Sequence, residues 1–304
     1  VKIAKAFKPT IESTRDGGRK AAVHRRSPTI LDILSLIGAV VSAPSQAVPS
    51  QLNCPALTGA RDLLANDARE RRFVVIGELH GTSESPALFG DLVCNLATER
   101  PVSVALEFNV SATPALQAYV ASAGTAVDKS KLLSSAAWSP SRADGRSSVA
   151  MLDLLDSIRK MRAAGGDIQV FATQPMGLPG LDQNYFELAM ADEWAKVASA
   201  RPQAIVVALV GRAHAQLSMR DDGLFLPAAA HLKPADVLSL KPEDEGGEAW
   251  NCQRDGCGGH PIAGKAVKPR YVAALSGVAD GFNGIYAIGG RYSASPPAAA
   301  AHRP

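Results

Sequence analysis

The chain has 304 residues, 46% of them hydrophobic and 20% charged, which is enough apolar content for one large core or two small ones. The formal net charge is +3, but eight basic residues crowd between Lys2 and Arg26, and beyond them acids and bases nearly balance. The balanced part carries no electrostatic footprint for nucleic acid, and no apolar run suits a stable membrane span.

Val23-His24-Arg25-Arg26 forms a positive flank to an apolar run from Thr29 to Ala43. That run has the length of a secretory signal, and Val41-Ser42-Ala43 and Ser45-Gln46-Ala47 place small residues where a signal peptidase needs them. Asp32 is a defect in it, and the rival reading is a disordered extension followed by a short amphipathic helix. Residues 1–50 thus read as a basic leader with a signal peptide and linker, 51–292 as a single α/β domain, and 293–304 as a flexible Pro/Ala-rich tail. Export places the protein in the periplasm or outside the cell, where four cysteines suit two disulfides. Four cysteines allow three pairings, and Cys252 with Cys257, close together in a Gly-rich stretch, is the first choice. A metal site made of that pair and His260 is the weaker alternative, because the spacing is poor and one ligand is missing.

In chain order, Ala60 to Glu70 predicts a short helix and Arg72 to Gly77 the first strong strand. Ser85-Pro86 predicts a helix start, with Leu88, Leu92 and Leu96 on its core face, and Arg100-Pro101 ends it. Val102 to Leu106 is a second strand, ending at Glu107. Thr113 to Ala123 is helical, 124–145 is irregular, and Ser148 to Ala164 is a long helix with Leu152, Leu155, Ile158 and Met161 in one stripe. Ile168 to Ala172 is a third strand. Asn184 to Ala200 is a helix carrying Phe186, Met190, Trp194 and Val197, and Ala204 to Val210 is the most hydrophobic strand. Three weaker strand signals follow at 237–240, 271–275 and 282–288, and 241–268 reads as a long polar loop. Unbroken apolar strands alternating with helices define an α/β fold with a largely parallel central sheet flanked by helices, whose active site lies at the carboxyl ends of the strands.

Reactive residues gather at those ends. Val74-Val75-Ile76-Gly77 runs into Glu78-Leu79-His80-Gly81, and residues two apart on an extended segment share a face, so Glu78 and His80 reach one space. The second strand ends at Glu107, the third at Thr173 and Gln174, and the fourth at Gly211-Arg212-Ala213-His214.

The stretch Gly77-Glu78-Leu79-His80-Gly81-Thr82-Ser83-Glu84-Ser85-Pro86 resembles the signature of the superfamily that joins the erythromycin esterases, the ChaN-like haem-binding lipoproteins and the Tiki/TraB proteins. Gly211-Arg212-Ala213-His214-Ala215 resembles that superfamily's second histidine motif, and Glu107 matches the acid after its second strand. Asp144-Gly145-Arg146-Ser147 is similar to a segment of its bacterial members, and Ser293 to Pro297 echoes another. Arg212 departs from the pattern, which often has a small or amide residue there. The resemblance implies lactone-ester hydrolysis, metal-dependent proteolysis or haem binding, so it does not fix the reaction.

Chemically, an imidazole whose ordinary pKa lies near neutrality makes His80 the expected general base, with Glu78 or Glu107 holding its ring. His214 is expected to polarise a carbonyl or protonate the leaving group, and Arg146 to bind a carboxylate or oxyanion. Glu84 and Trp138 complete the expected substrate-binding set, although Glu84 also suits a helix N-terminus and Trp138 equally suits the core. With no Gly-x-Ser-x-Gly elbow, water activation is expected instead of a covalent nucleophile. The predicted function is hydrolysis of an ester, lactone or amide in a small-molecule or peptide substrate. Glu78, His80, Glu107 and His214 would equally make a site for Zn, Mn or Fe, so metal-free and metal-assisted hydrolysis both stand. The alternative is a haem- or metal-binding protein of the ChaN-like type without catalysis, with His80, His214 or Tyr185 as axial ligand.

Overall fold

The computed structural model describes residues 52–138, 144–177, 180, 182–219, 223–243, 245–264 and 268–301. The chain divides into units of residues 1–47 and 48–304, and everything described below belongs to the second. The expected leader and signal peptide lie outside the described residues.

Nine strands are described: β1 (Phe73–Glu78), β2 (Val102–Asn109), β3 (Ile168–Gln174), β4 (Ile205–Gly211), β5 (Val237–Pro242), β6 (Glu245–Gln253), β7 (Gly256–Gly264), β8 (Tyr271–Ala279) and β9 (Phe282–Ala287). Seven form one sheet in the order β3-β2-β4-β1-β5-β9-β8. Every pairing in it is parallel except β8 with β9, which is antiparallel at the edge. All six residues of β1 and all seven of β4 are buried, as unbroken apolar runs require when both faces of a parallel sheet are covered. Alternation then sorts side chains between two layers. Val74 and Ile76 join the core formed with α2 (Glu84–Ala97), α3 (Thr113–Val120) and α5 (Val149–Ala163), in the chain order completed by α1 (Ala60–Asp62) and α4 (Ala126–Leu133). Phe73 and Val75 face Met190 and Trp194 of α6 (Gln183–Ala200) on the other side. A last short helix, α7 (Ala298–Ala301), closes the described chain.

Four stretches differ from their sequence reading. The first helix is only one α turn and continues as a π turn over Leu63–Asp67. The irregular stretch after α3 contains α4, started by a capping box in which Thr125 and Asp128 satisfy each other's backbone donors. Its apolar content is low, so periodicity gave no signal.

The expected polar loop at 241–268 is mostly a hairpin, β6 against β7, with Cys252 opposite Cys257. Its glycines and polar residues hide the alternation that marks a strand, and it is anchored at its root instead. The fully buried Glu245 carboxylate accepts the backbone N–H groups of Lys268 (3.1 Å) and Ile288 (2.7 Å). Residues 293–301, expected to be part of a flexible tail, are laced onto the domain. Ser295 N–H donates to the Gly81 carbonyl (2.8 Å), Val149 N–H to the Pro296 carbonyl (2.9 Å) and Ala298 N–H to the Ser147 carbonyl (3.0 Å). Backbone bonding is blind to side-chain composition, which is why a Pro/Ala-rich sequence did not announce it.

Both expected disulfides form, Cys54–Cys94 and Cys252–Cys257. They close loops of very different length, with sequence separations of 40 and 5. On loop-closure entropy the first restricts the unfolded chain by about 4 kcal/mol and the second by about 2 kcal/mol. Urea unfolding of the paired Cys→Ser variants should therefore lower stability more for Cys54/Cys94 than for Cys252/Cys257; the reverse order would show that the hairpin carries more stability than its loop predicts.

Candidate active site

Strand order explains the site. β4 lies between β1 and β2, so the end of β4 sits between Glu78 and His80 on one side and Glu107 on the other. The intervening residue is Gly211. A Cβ there would stand 2.9 Å from His80 Nε2 and 3.5 Å from Glu107 Oε2, so glycine keeps the imidazole and the carboxylate in reach of each other. At the end of β2 the register against β3 slips between Leu106 and Asn109, a bulge that spans Glu107 and Phe108. Such a bulge re-aims side chains at a strand end.

Glu107 is the hub. Its Oε1 accepts from Arg146 Nη1 at 2.8 Å and faces His214 Nε2 at 3.6 Å. Its Oε2 accepts the Gly211 N–H at 2.7 Å and lies 3.3 Å from His80 Nε2. Each surrounding cation is backed by a second carboxylate. His80 Nδ1 is 2.9 Å from Glu78, Arg146 meets Asp144 at 2.5 Å, and His214 Nδ1 is 2.7 Å from Glu187. Glu187 is fully buried and also accepts from Gln183 Nε2 (2.5 Å) and the Ala228 N–H (2.9 Å). Glu78, Glu107 and Glu187 are all buried, whereas His80, Arg146 and His214 keep 25%, 20% and 16% of their side-chain surface. The cleft therefore exposes the edges of two imidazoles and a guanidinium, while the three glutamates that hold them are buried.

These surroundings set the protonation states. Burial works against charge on His80, but Glu107 and Glu78 overcome it and push its pKa up to about 10. Burial also opposes charge on His214; the Glu187 hydrogen bond and the field of Glu107 outweigh it, His80 pushes back, and the net shift is upward. For Glu107 burial would favour the neutral acid, yet His80, His214 and Arg146 hold it well below the usual carboxylate range.

Of the residues expected from sequence, Glu78, His80, Glu107, Arg146 and His214 thus come together. Glu84 does not join them: it starts α2 and its carboxylate accepts the N–H and hydroxyl of Ser293. Trp138 is fully buried against Phe108, with ring centroids 5.4 Å apart, and belongs to the core. Two members were missed. Asp144 stands two residues before Arg146 in the motif already quoted. Glu187 had a visible signal, since it lies three and seven residues before Met190 and Trp194 on the buried stripe of α6, where an acid needs a reason to be.

Among the described residues no group of three or more His, Cys, Asp or Glu is arranged to hold a metal ion. The donor chemistry agrees: Arg146 and the Gly211 N–H occupy the two Glu107 oxygens, and a guanidinium stands where a cation would bind. Haem fits no better, because both imidazoles turn Nε2 toward Glu107 in a charged cluster instead of an apolar slot. Tyr185 is exposed.

No protein-family model and no curated protein matches the sequence. Solved structures do. The erythromycin esterase EreC in its open conformation superposes with a TM-score of 0.58 at 10% identity, covering 74% of this chain and 92% of that one. A succinoglycan biosynthesis protein gives 0.61 at 13% identity (82% and 97% covered), and a Bacillus cereus protein gives 0.56 at 12% identity (82% and 96% covered). The chain therefore has the α/β fold seen in erythromycin esterase. At these identities the likeness is one of fold, and sequence assigns it to no family.

The raised His80 pKa makes stability depend on pH in a defined direction. A group that binds its proton more tightly when folded stabilises fully below its unfolded pKa of 6.5, and that contribution is lost as pH rises through about 10. Unfolding free energy should fall across this window and fall less in His80→Gln. Equal pH slopes for the two proteins would contradict the assigned charge.

Proposed function

We propose that the protein is a hydrolase of ester, lactone or amide bonds, exported from the cell, that works without a bound metal. The observation that supports it most is the back-to-back arrangement of two carboxylate–imidazole pairs, Glu78–His80 and Glu187–His214, across the single carboxylate of Glu107. The shared fold with an erythromycin esterase is consistent with hydrolysis. Two disulfides suit an oxidising compartment, and no helix among the described residues is long and apolar enough to cross a membrane.

On residue type alone His80 is the expected base; its surroundings favour His214 instead. His80 is gripped at both nitrogens and gives up its proton late. His214 is gripped tightly only at Nδ1, its Nε2 stands 3.6 Å from Glu107, and the charge on His80 opposes its own. In the proposed reaction neutral His214 takes a proton from water at Nε2 as the water oxygen bonds to the carbonyl carbon. Glu187 stabilises the imidazolium, as a carboxylate behind a histidine does in hydrolytic triads. The carbonyl π pair moves to oxygen, where the remaining N–H groups of Arg146 donate to the oxyanion and the positive charge of His80, held by Glu78 and Glu107, adds its field. Collapse breaks the bond to the leaving group, and the proton on His214 passes to that group, restoring the base.

On a panel of ester, lactone and peptide substrates, His214→Ala should lower kcat/KM by about 10²–10⁴-fold and Arg146→Met by about 10²–10³-fold, with folding retained. A chelator should leave turnover unchanged. The rate should rise with pH above 6.5 as His214 loses its proton and fall beyond about 10 as His80 does. Glu187→Gln should move the rising limb to lower pH. Full activity in His214→Ala, or loss of activity with chelator, would refute the mechanism.

A further inference from the structure

A small recess opens beside His214 and takes no part in the proton transfers above. It measures about 90 Å³ and is lined by Pro175, Met176, Gly177 and, from the first turns of α6, Asp182, Gln183, Tyr185, Phe186 and Ala189. Two of its polar side chains are already engaged. Asp182 caps the helix by accepting the Tyr185 N–H at 2.9 Å, and Gln183 donates to Glu187 at 2.5 Å. What remains for a ligand is proline, methionine and aromatic surface, together with the Tyr185 hydroxyl. Met176 and Tyr185, two of its walls, are 60% and 56% exposed.

The recess borders the site through Phe186, one of its lining residues. The Phe186 ring lies against the His214 ring, with centroids 6.1 Å apart. Gln183 touches the same Glu187 that holds His214. A group seated on Phe186 is therefore one ring away from the His214 imidazole. Whole-ligand clefts enclose about 300 Å³ or more, so this recess takes one group of a substrate and not a macrocycle.

We infer that this recess is a specificity pocket for an uncharged, compact apolar chain attached to the scissile carbonyl, so that the substrates are short- to medium-chain acyl esters or amides. The inference rests on the hydrolase reading for its chemistry, but the pocket can be tested apart from it. Ala189 faces the recess and has no role in the proton transfers, so Ala189→Phe fills the space without touching the catalytic groups.

The test uses the full protein with p-nitrophenyl esters of acetic, hexanoic and dodecanoic acid. In the wild type kcat/KM should rise about tenfold or more from acetyl to hexanoyl, the order expected when a fitted apolar pocket gains methylenes, and fall for dodecanoyl. Ala189→Phe should abolish the rise while leaving the acetyl ester within about twofold of wild type, on the same scale. Equal kcat/KM for all three esters in an active enzyme would overturn the pocket and leave the hydrolase reading standing. If no ester is turned over, that reading fails for esters, and saturation-transfer NMR with hexanoate decides the pocket by itself. Methyl-end saturation that disappears in Ala189→Phe supports it; no saturation in the wild type overturns it.

Discussion

A single buried carboxylate, Glu107, holds the cleft together. Three positively polarised side chains and one backbone N–H converge on its two oxygens. Without its charge, His80, Arg146 and His214 would face one another across a few ångströms in a poorly solvated space. Breaking a buried ionic arrangement by removing one partner costs about 3–5 kcal/mol, because the remaining charges are left uncompensated. The fold meets the geometric demand with two local devices: a bulge that re-aims the end of β2 and a glycine at the end of β4 that lets His80 approach.

Around this hub the backbone of Gly81 gathers distant parts of the chain. Its carbonyl accepts the N–H of Trp250 from the hairpin and of Ser295 from the C-terminal segment, both at 2.8 Å. Gly81 has a φ of +77°, and a Cβ there would collide with the Trp250 carbonyl, so no other residue serves as well. Gly145 presses on it from the third side, which brings Asp144 and Arg146 to the cleft. The loop after β1 is thereby fixed by elements that lie more than sixty residues away in sequence.

This division explains what could be read from the sequence. The central strands and their reactive ends were legible because buried parallel strands are continuous apolar runs, and a charged residue directly after one stands out. Glu78, His80, Glu107 and His214 were found that way. Glu187 was not, because it comes from a helix on the opposite layer, and only its place on an apolar stripe betrays it. The hairpin and the C-terminal segment were missed because they are held by main-chain bonds, a buried acid root and a disulfide, none of which leaves a periodic pattern. Trp138 and Glu84 turn elsewhere: Trp138 ends a 3-10 turn and packs on Phe108 in the core, and Glu84 at the start of α2 holds Ser293.

Fold alone does not fix chemistry; here the charge order of the cleft favours one kind. The carboxylates are buried and the partly exposed side chains are the imidazoles and the guanidinium, which suits a neutral carbonyl acquiring negative charge better than it suits binding a cation. The claim beneath this account is that Glu107 sets the protonation of both histidines, and a side-chain ¹⁵N NMR titration of Glu107→Gln beside the wild type tests it most directly. The account predicts that both imidazoles lose their protons at lower pH in the variant, with His80 leaving the neighbourhood of 10. Unchanged titration of both histidines in a folded Glu107→Gln protein would contradict it.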